Sequence, residues 1–375
     1  MSNSIRLEVP YVFQGTAAPR CHVACLRMIL EYYGVRYTTS YLMNLSGYNY
    51  GFTYFKEAKM AFAGPATPLG PWQILSYAAQ KVGCQTKFYK DKPWEEAWRI
   101  MKEYLSQGKP VYVARLDMQH LWKTTRPVPH VIVLCGYDED RDVVIIHDPA
   151  LGQTGEGIQY LSPNKLPDGT SGCYAEFPIS EFRRACAVEE IQWAFSGKNG
   201  FCIINPANKQ LAISWLDVIK RNANLILGNV EEEIGEPIPG HHRYGPDGLE
   251  EFARDLESGF GLFGEPPRLF AALGALRGLL FRSGSSYMFD ASAFVSGLAA
   301  LTADQELKEA SNHLGLIGVC YDECLGEAEY ILEHQSISPK SLEERLTRIS
   351  SVLKRTADQA RIAGKNLMEG AKALT

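Results

Sequence analysis

Apolar positions along the chain follow two regimes. Up to about Pro206 helix-like and strand-like spacings are mixed; beyond it almost every apolar stretch repeats with a helical period. Between Cys21 and Tyr33 the residues Ala24, Cys25, Leu26, Met28, Ile29 and Tyr32 mark one helix face, and Gly34 follows as its stop. "PWQILSYAAQKVG" and "PWEEAWRIMKEYLSQG" predict two further amphipathic helices, each opened by proline and closed by glycine. "KPVYVARL" reads as a strand, and "HVIVLCGYDEDRDVVIIHDP" as two strands joined by the charged turn "DEDRD". "CYAEFPISEFRRAC" predicts a strand and then a helix entered at Ser180, and "GFCIINP" a last strand.

The run "NPANKQ" (205–210) ends this region. Beyond it "QLAISWLDVIKRNANLIL", "GPDGLEEFARDLESGF", "PPRLFAALGALRGLLF", "YMFDASAFVSGLAALT" and two longer segments after Ala303 predict a bundle of about five or six helices. The Gly- and Pro-rich "NVEEEIGEPIPGHHRYGPD" between the first two reads as a loop, with His241 and His242 in it. The expected fold class is α+β over 1–207, helices packed on an antiparallel sheet, followed by an all-α helical domain over 208–375.

Composition acts mainly by exclusion. A chain of 375 residues is longer than one usual domain, which fits two. A formal charge of -5 argues against nucleic acid or an acidic membrane surface as the main partner. No signal-peptide pattern opens the chain, and no run approaches the roughly 18 apolar residues of a spanning helix. The nine cysteines are odd in number and scattered through apolar runs, the pattern of reduced thiols. A cytoplasmic protein is the expectation.

Three polar residues stand where elements begin or end. Cys21 opens a helix, where unpaired N–H groups and the helix dipole favour a thiolate. His130 opens the strand after "RPVP", and Asp148 closes the next strand. If these strands pair through their turn, the carboxylate orients the imidazole while the other ring nitrogen faces the thiol. Gln14 is placed to supply a side-chain donor to an oxyanion, together with the Cys21 N–H. Each has a plainer alternative: a structural thiol, a solvated histidine, an Asp-Pro turn.

"QGTAAPRCHVACLRMILEYYG" followed by "HVIVLCGYDEDRDVVIIHDPALG" resembles the papain-like fold of bacteriocin-processing peptidases over residues 8 to 205. The resemblance implies Cys21 as nucleophile, His130 as base, Asp148 as its orienter and Gln14 as oxyanion donor. Cys25 falls where those peptidases carry a small helix residue. His22 departs from them, since they commonly have glycine there. The whole chain, through "ARLDMQHLW", "GLEEFARDL" and "GSSYMFDASAFVSGLAAL", is similar to acyltransferases of the butirosin biosynthesis protein H type and to related amide and thioamide synthases. That similarity implies an acyl or peptidyl carrier protein with a phosphopantetheine thioester, and a small amine acceptor, as partners. It also leaves a homodimer open.

Three functions therefore stand side by side. The favoured one is a cysteine-nucleophile acyltransferase forming an amide in specialised metabolism, through acyl-Cys21. A peptidase or amidase using the same triad is the alternative, and a catalytically silent scaffold the third. His22, Asp117 and His120 are the candidate substrate contacts, the last two in the segment between a strand and His130. No cofactor or metal is expected: Cys320 and Cys324 lie one helical turn apart, but no second pair at ligand spacing accompanies them. "LLFRSGSSYMF" lacks the Gly-Lys-Ser/Thr of a phosphate loop. "GYNYGFTYFKEAKMAF" reads as a loop able to line a groove, or as hairpin packing.

Overall fold

The structure is a computed structural model that describes residues 3–15, 20–57, 59–64, 71–124, 129–151, 171–187, 198–206, 213–229, 242–258 and 266–374. The chain forms two compact units, Met1–Leu42 with Pro68–Ile213, and Met43–Thr67 with Ser214–Thr375. From the N-terminus, β1 (Ser4–Arg6) is followed by α1 (Cys21–Tyr32) and α2 (Thr39–Ser46). The hairpin β2 (Phe52–Phe55) and β3 (Met60–Ala63) belongs to the second unit. Back in the first come α3 (Pro71–Lys81), β4 (Cys84–Tyr89), α4 (Trp94–Ser106), β5 (Val111–Asp117) and α5 (Met118–Trp122). They are followed by β6 (Pro129–Asp138), β7 (Val143–His147), β8 (Ala175–Pro178), α6 (Ile179–Ala187) and β9 (Phe201–Pro206).

The first unit is built on a seven-stranded antiparallel sheet in the order β4-β9-β5-β6-β7-β8, with β1 paired to β6. Helices cover both faces, which is why Val131 to Cys135 form one unbroken buried run with no polar alternation. Ile132 and Leu134 join a core with Ala97 and Met101 of α4 and Phe182 of α6. α1 packs against β6, with the Cys25 thiol 3.6 Å from the Val131 carbonyl. Val133 pairs with His147, so the start of β6 and the end of β7 lie at one end of the sheet.

The second unit is mostly helical: α7 (Trp215–Leu227), α8 (Gly245–Glu257), α9 (Pro266–Leu276), α10 (Ser283–Thr302), α11 (Gln305–Glu333) and α12 (Pro339–Gly370). α9 and α10 are joined without a break by a π-helical stretch, Arg277–Arg282. There the Ser283 hydroxyl donates to the Gly278 carbonyl at 2.6 Å. The C-terminal region is not purely helical, however. β10 (His242–Tyr244) pairs with β2, giving a three-stranded sheet in the order β10-β2-β3.

The units are interleaved instead of meeting once between 207 and 208: the chain crosses after Leu42, after Thr67 and after Ile213. Buried polar bonds hold the 43–67 excursion in its unit. Arg221 donates to the Ser46 carbonyl, Asn222 Nδ2 to the Asn44 carbonyl at 3.0 Å, and the Tyr54 hydroxyl to Asp255 at 2.7 Å. Gly47 has φ 80°, and a Cβ there would meet Leu225 at 2.5 Å, so only glycine lets α2 end against α7. The aromatic stretch after it is thus hairpin core. His241 and the acidic run 230–234 lie outside the described residues.

Candidate active site

The site grows from three element ends. α1 begins at Cys21, and its N-cap Arg20 makes no side-chain cap bond. The first helical bond runs from the Ala24 N–H to the Arg20 carbonyl, so the N–H groups ahead of Ala24 have no partner inside the helix. Gln14 enters here: its Oε1 accepts the Arg20 N–H at 3.0 Å, and its own N–H donates to the Pro149 carbonyl at 2.8 Å. The amide oxygen thus accepts, and Nε2 is the donor half of the side chain.

His130, at the start of β6, is almost fully buried, and its Nε2 lies 2.6 Å from Asp148 Oδ1. Cys21 lies near enough for its charge to act on the imidazole. Nε2 serves the carboxylate, which leaves Nδ1 as the ring nitrogen for a reacting proton beside a half-buried thiol. Burial alone would lower the imidazole's proton affinity, but the charges of Asp148 and Cys21 and the bond to Asp148 push His130 up to about 10. At neutral pH it is an imidazolium beside a cysteine at a helix start.

Asp148 is 0% exposed. Oδ1 also accepts the Ala150 N–H at 2.9 Å, and Oδ2 accepts the Trp122 indole N–H at 2.6 Å. Its main chain is fixed as well: the N–H donates to Gly172 at 2.8 Å, and the Tyr11 hydroxyl lies 2.9 Å from its carbonyl and against that of Leu151. A Cβ on Gly172 would fall 2.0 Å from the Asp148 carbonyl, so no side chain fits there. The neighbouring His147 is buried with Nε2 at 2.8 Å from the Val9 carbonyl and Nδ1 accepting the Tyr174 N–H at 2.9 Å. An imidazole that accepts at one nitrogen and donates at the other is neutral, and burial lowers its proton affinity further.

The remaining sequence candidates separate. His22, 3% exposed, follows Cys21 in the first turn of α1. Burial first, then the charges of Arg20 and His130, push it down to about 3, so it stays neutral beside the imidazolium. Asp117 has a structural role, since its Oδ1 accepts the Gln119 N–H at 2.9 Å and caps α5. His120 is half-buried on α5, and no hydrogen bond of its imidazole is found among the described residues; its carbonyl accepts the Lys123 ammonium at 2.9 Å. Cys25 is fully buried one turn inside α1, and burial raises its thiol far above the usual range. Cys320 and Cys324 are buried free thiols of α11, and no group of three potential ligands is placed to hold a metal among the described residues.

Sequence reasoning missed Trp122, Tyr11, Gly172 and His147. Only His147 carried a signal, as the polar residue directly before Asp148 in an apolar strand. No helix among the described residues is long and apolar enough to cross a membrane. A search of curated proteins finds no match to the chain. Residues 6–166, which hold Gln14, Cys21, His130 and Asp148, match the Peptidase_C39 like family, so the chain carries the papain-like α+β fold of a cysteine-type enzyme, followed by a helical C-terminal region.

Proposed function

We propose that the chain is a cysteine-nucleophile acyltransferase that forms an amide from a carrier-protein thioester and an amine. The observation that carries this reading is the buried His130–Asp148 pair, with the carboxylate 2.6 Å from Nε2, acting on Cys21 at the head of α1. The Cys21 thiolate adds to the thioester carbonyl, and the oxygen takes up negative charge near the Gln14 amide and the uncapped helix start. As the carbon–sulfur bond to the carrier breaks, the leaving thiolate takes the His130 proton. The amine then adds to acyl-Cys21, His130 takes one N–H proton, and the Cys21 thiolate leaves as the amide closes. A thioacyl donor would give a thioamide by the same steps.

Transfer to an amine is favoured by the helical region from Ser214 onward, which lies beyond the matched 6–166; its sequence resemblance to the butirosin protein H type supports this reading. His22 and His120 belong to this proposal as substrate contacts; Asp117 acts by holding α5. The family match favours a second reading, hydrolysis of a peptide by the same acyl-enzyme. One experiment separates them. The protein is incubated with acylated carrier proteins and followed by intact-mass spectrometry. An acyl adduct on wild type but not on Cys21→Ala, discharged faster by amines than by water, is expected. Cys21-dependent peptide cleavage with no thioester adduct would replace it with the peptidase; a Cys21 inert to iodoacetamide would leave a silent scaffold.

A further inference from the structure

Three N–H groups surround the buried Asp148 carboxylate, and they are not equivalent. Oδ1 serves His130 and the Ala150 amide, while Oδ2 depends on the Trp122 indole at 2.6 Å. No second donor to Oδ2 is found among the described residues. So short a distance is that of a charge-assisted bond. The chain builds a holder for this indole. β5 shifts register between Val113 and Leu116, Asp117 then caps α5, and Lys123 ends it in a left-handed turn at φ 54°. The Lys123 ammonium reaches both the His120 carbonyl and Glu181, at 2.9 and 2.7 Å. The indole itself stands edge-on to Phe177, with centroids 4.7 Å apart.

We propose that Trp122 is a positioning residue of the Cys21 site: its indole N–H fixes the plane of the Asp148 carboxylate and stabilises it as an anion, setting how firmly His130 keeps its proton. This rests on reading Cys21 and His130 as a thiolate–imidazolium pair. Charge balance gives the sign. With His130 protonated, the His130–Asp148 pair is neutral overall; with His130 neutral, the pair carries the bare carboxylate charge. A donor on Oδ2 stabilises the second state more, so its loss makes His130 hold its proton to higher pH. The other titratable groups facing His130 are Cys21 and His22 of α1; around α5 they are His120, Lys123 and, from α6, Glu181.

The test is carboxymethylation of Cys21 by iodoacetate in the full-length protein, read peptide by peptide by mass spectrometry. The anionic reagent consumes a thiolate and is drawn by an imidazolium, so the wild-type rate is bell-shaped in pH and its alkaline limb reports His130. Trp122→Phe is expected to move that limb up by about one unit, a roughly tenfold faster reaction just above the wild-type limb. Asp148→Asn, which removes the anion, moves it down. A Trp122→Phe limb that stays in place, or falls towards that of Asp148→Asn, overturns the proposal, since loosened packing alone does that. Benzothienylalanine at position 122 keeps a bicyclic ring and puts sulfur for the N–H. It is expected to reproduce the upward shift if Trp122→Phe folds poorly, and an unmoved limb overturns the proposal. A wild type without the bell removes the ion-pair reading and this proposal together; a wild-type bell with an unmoved variant removes only the role of Trp122.

Discussion

The helix that carries Cys21 begins differently from three helices of the second unit. In the second unit Ser214, Asp304 and Ser338 close α7, α11 and α12, accepting the N–H of Asp217 at 3.3 Å, Leu307 at 2.8 Å and Ser341 at 3.2 Å. In the first unit α1 has Arg20 at that place and no side-chain cap. A missing cap costs about 1 kcal/mol, so the chain gives up stability at the helix end where the nucleophile stands. Buried polar groups differ in the same way. Arg221 and Asn222 end on the carbonyls of Ser46 and Asn44, which have no proton to exchange. His130 and Asp148 pair beside the Cys21 thiol, which has. A buried polar chain that closes on backbone holds structure; one that stands beside a half-buried thiol holds a proton able to move.

Cutting the second kind of chain gives the largest effect. Asp148→Asn leaves His130 without its counter-charge and is expected to slow acyl-enzyme formation about 10²-fold or more at pH 7. Pre-steady-state mass spectrometry of the Cys21 adduct checks this, and an unchanged rate would break the distinction. The buried histidines also make the first unit sensitive to pH, while Arg221 stays charged throughout. His22 remains neutral when folded down to about 3, but takes a proton near pH 6.5 when unfolded. Its contribution is therefore full above about pH 6.5 and lost as pH falls towards 3, a loss of about 2–3 kcal/mol at pH 4.5. His22→Gln is expected to narrow the gap between urea midpoints at pH 7 and pH 4.5. His130 has the opposite sign: its pairing is full below about pH 6.5 and fades as pH rises through about 10.

What was legible in the sequence follows from what periodicity marks, namely the ends of elements. Cys21 at a helix start, His130 at a strand start and Asp148 at a strand end stood out because a polar side chain interrupts an apolar period there. The helical periods of the C-terminal region were equally plain. The 43–67 excursion was not: Phe52 to Phe55 are all buried, so no alternation betrays a strand. Their partner His242–Tyr244 is also far along the chain, beyond any local pattern. Trp122 was invisible for another reason, since a pattern of apolar positions counts the indole as apolar and ignores its N–H. Asp117 was read as a turn residue or a substrate contact, and an aspartate ahead of a short helix is itself a cap signal.

The helix starts allow a finer test in both directions. Arg20→Asp adds a cap and a negative charge at the head of α1. It is expected to raise stability by about 1 kcal/mol and to slow Cys21 alkylation by iodoacetamide at pH 6 about tenfold, because the carboxylate takes a first-turn N–H and repels the thiolate. Asp304→Ala does the reverse in the second unit. It strips the Leu307 N–H of its 2.8 Å acceptor, so α11 should lose about 1 kcal/mol, seen as a lower urea midpoint. The alkylation rate of Cys21 should stay at its wild-type value. Stability and thiol reactivity then move oppositely at α1 and independently at α11; if Asp304→Ala slowed Cys21 as much as Arg20→Asp, the empty cap of α1 would be a matter of general stability and not of chemistry.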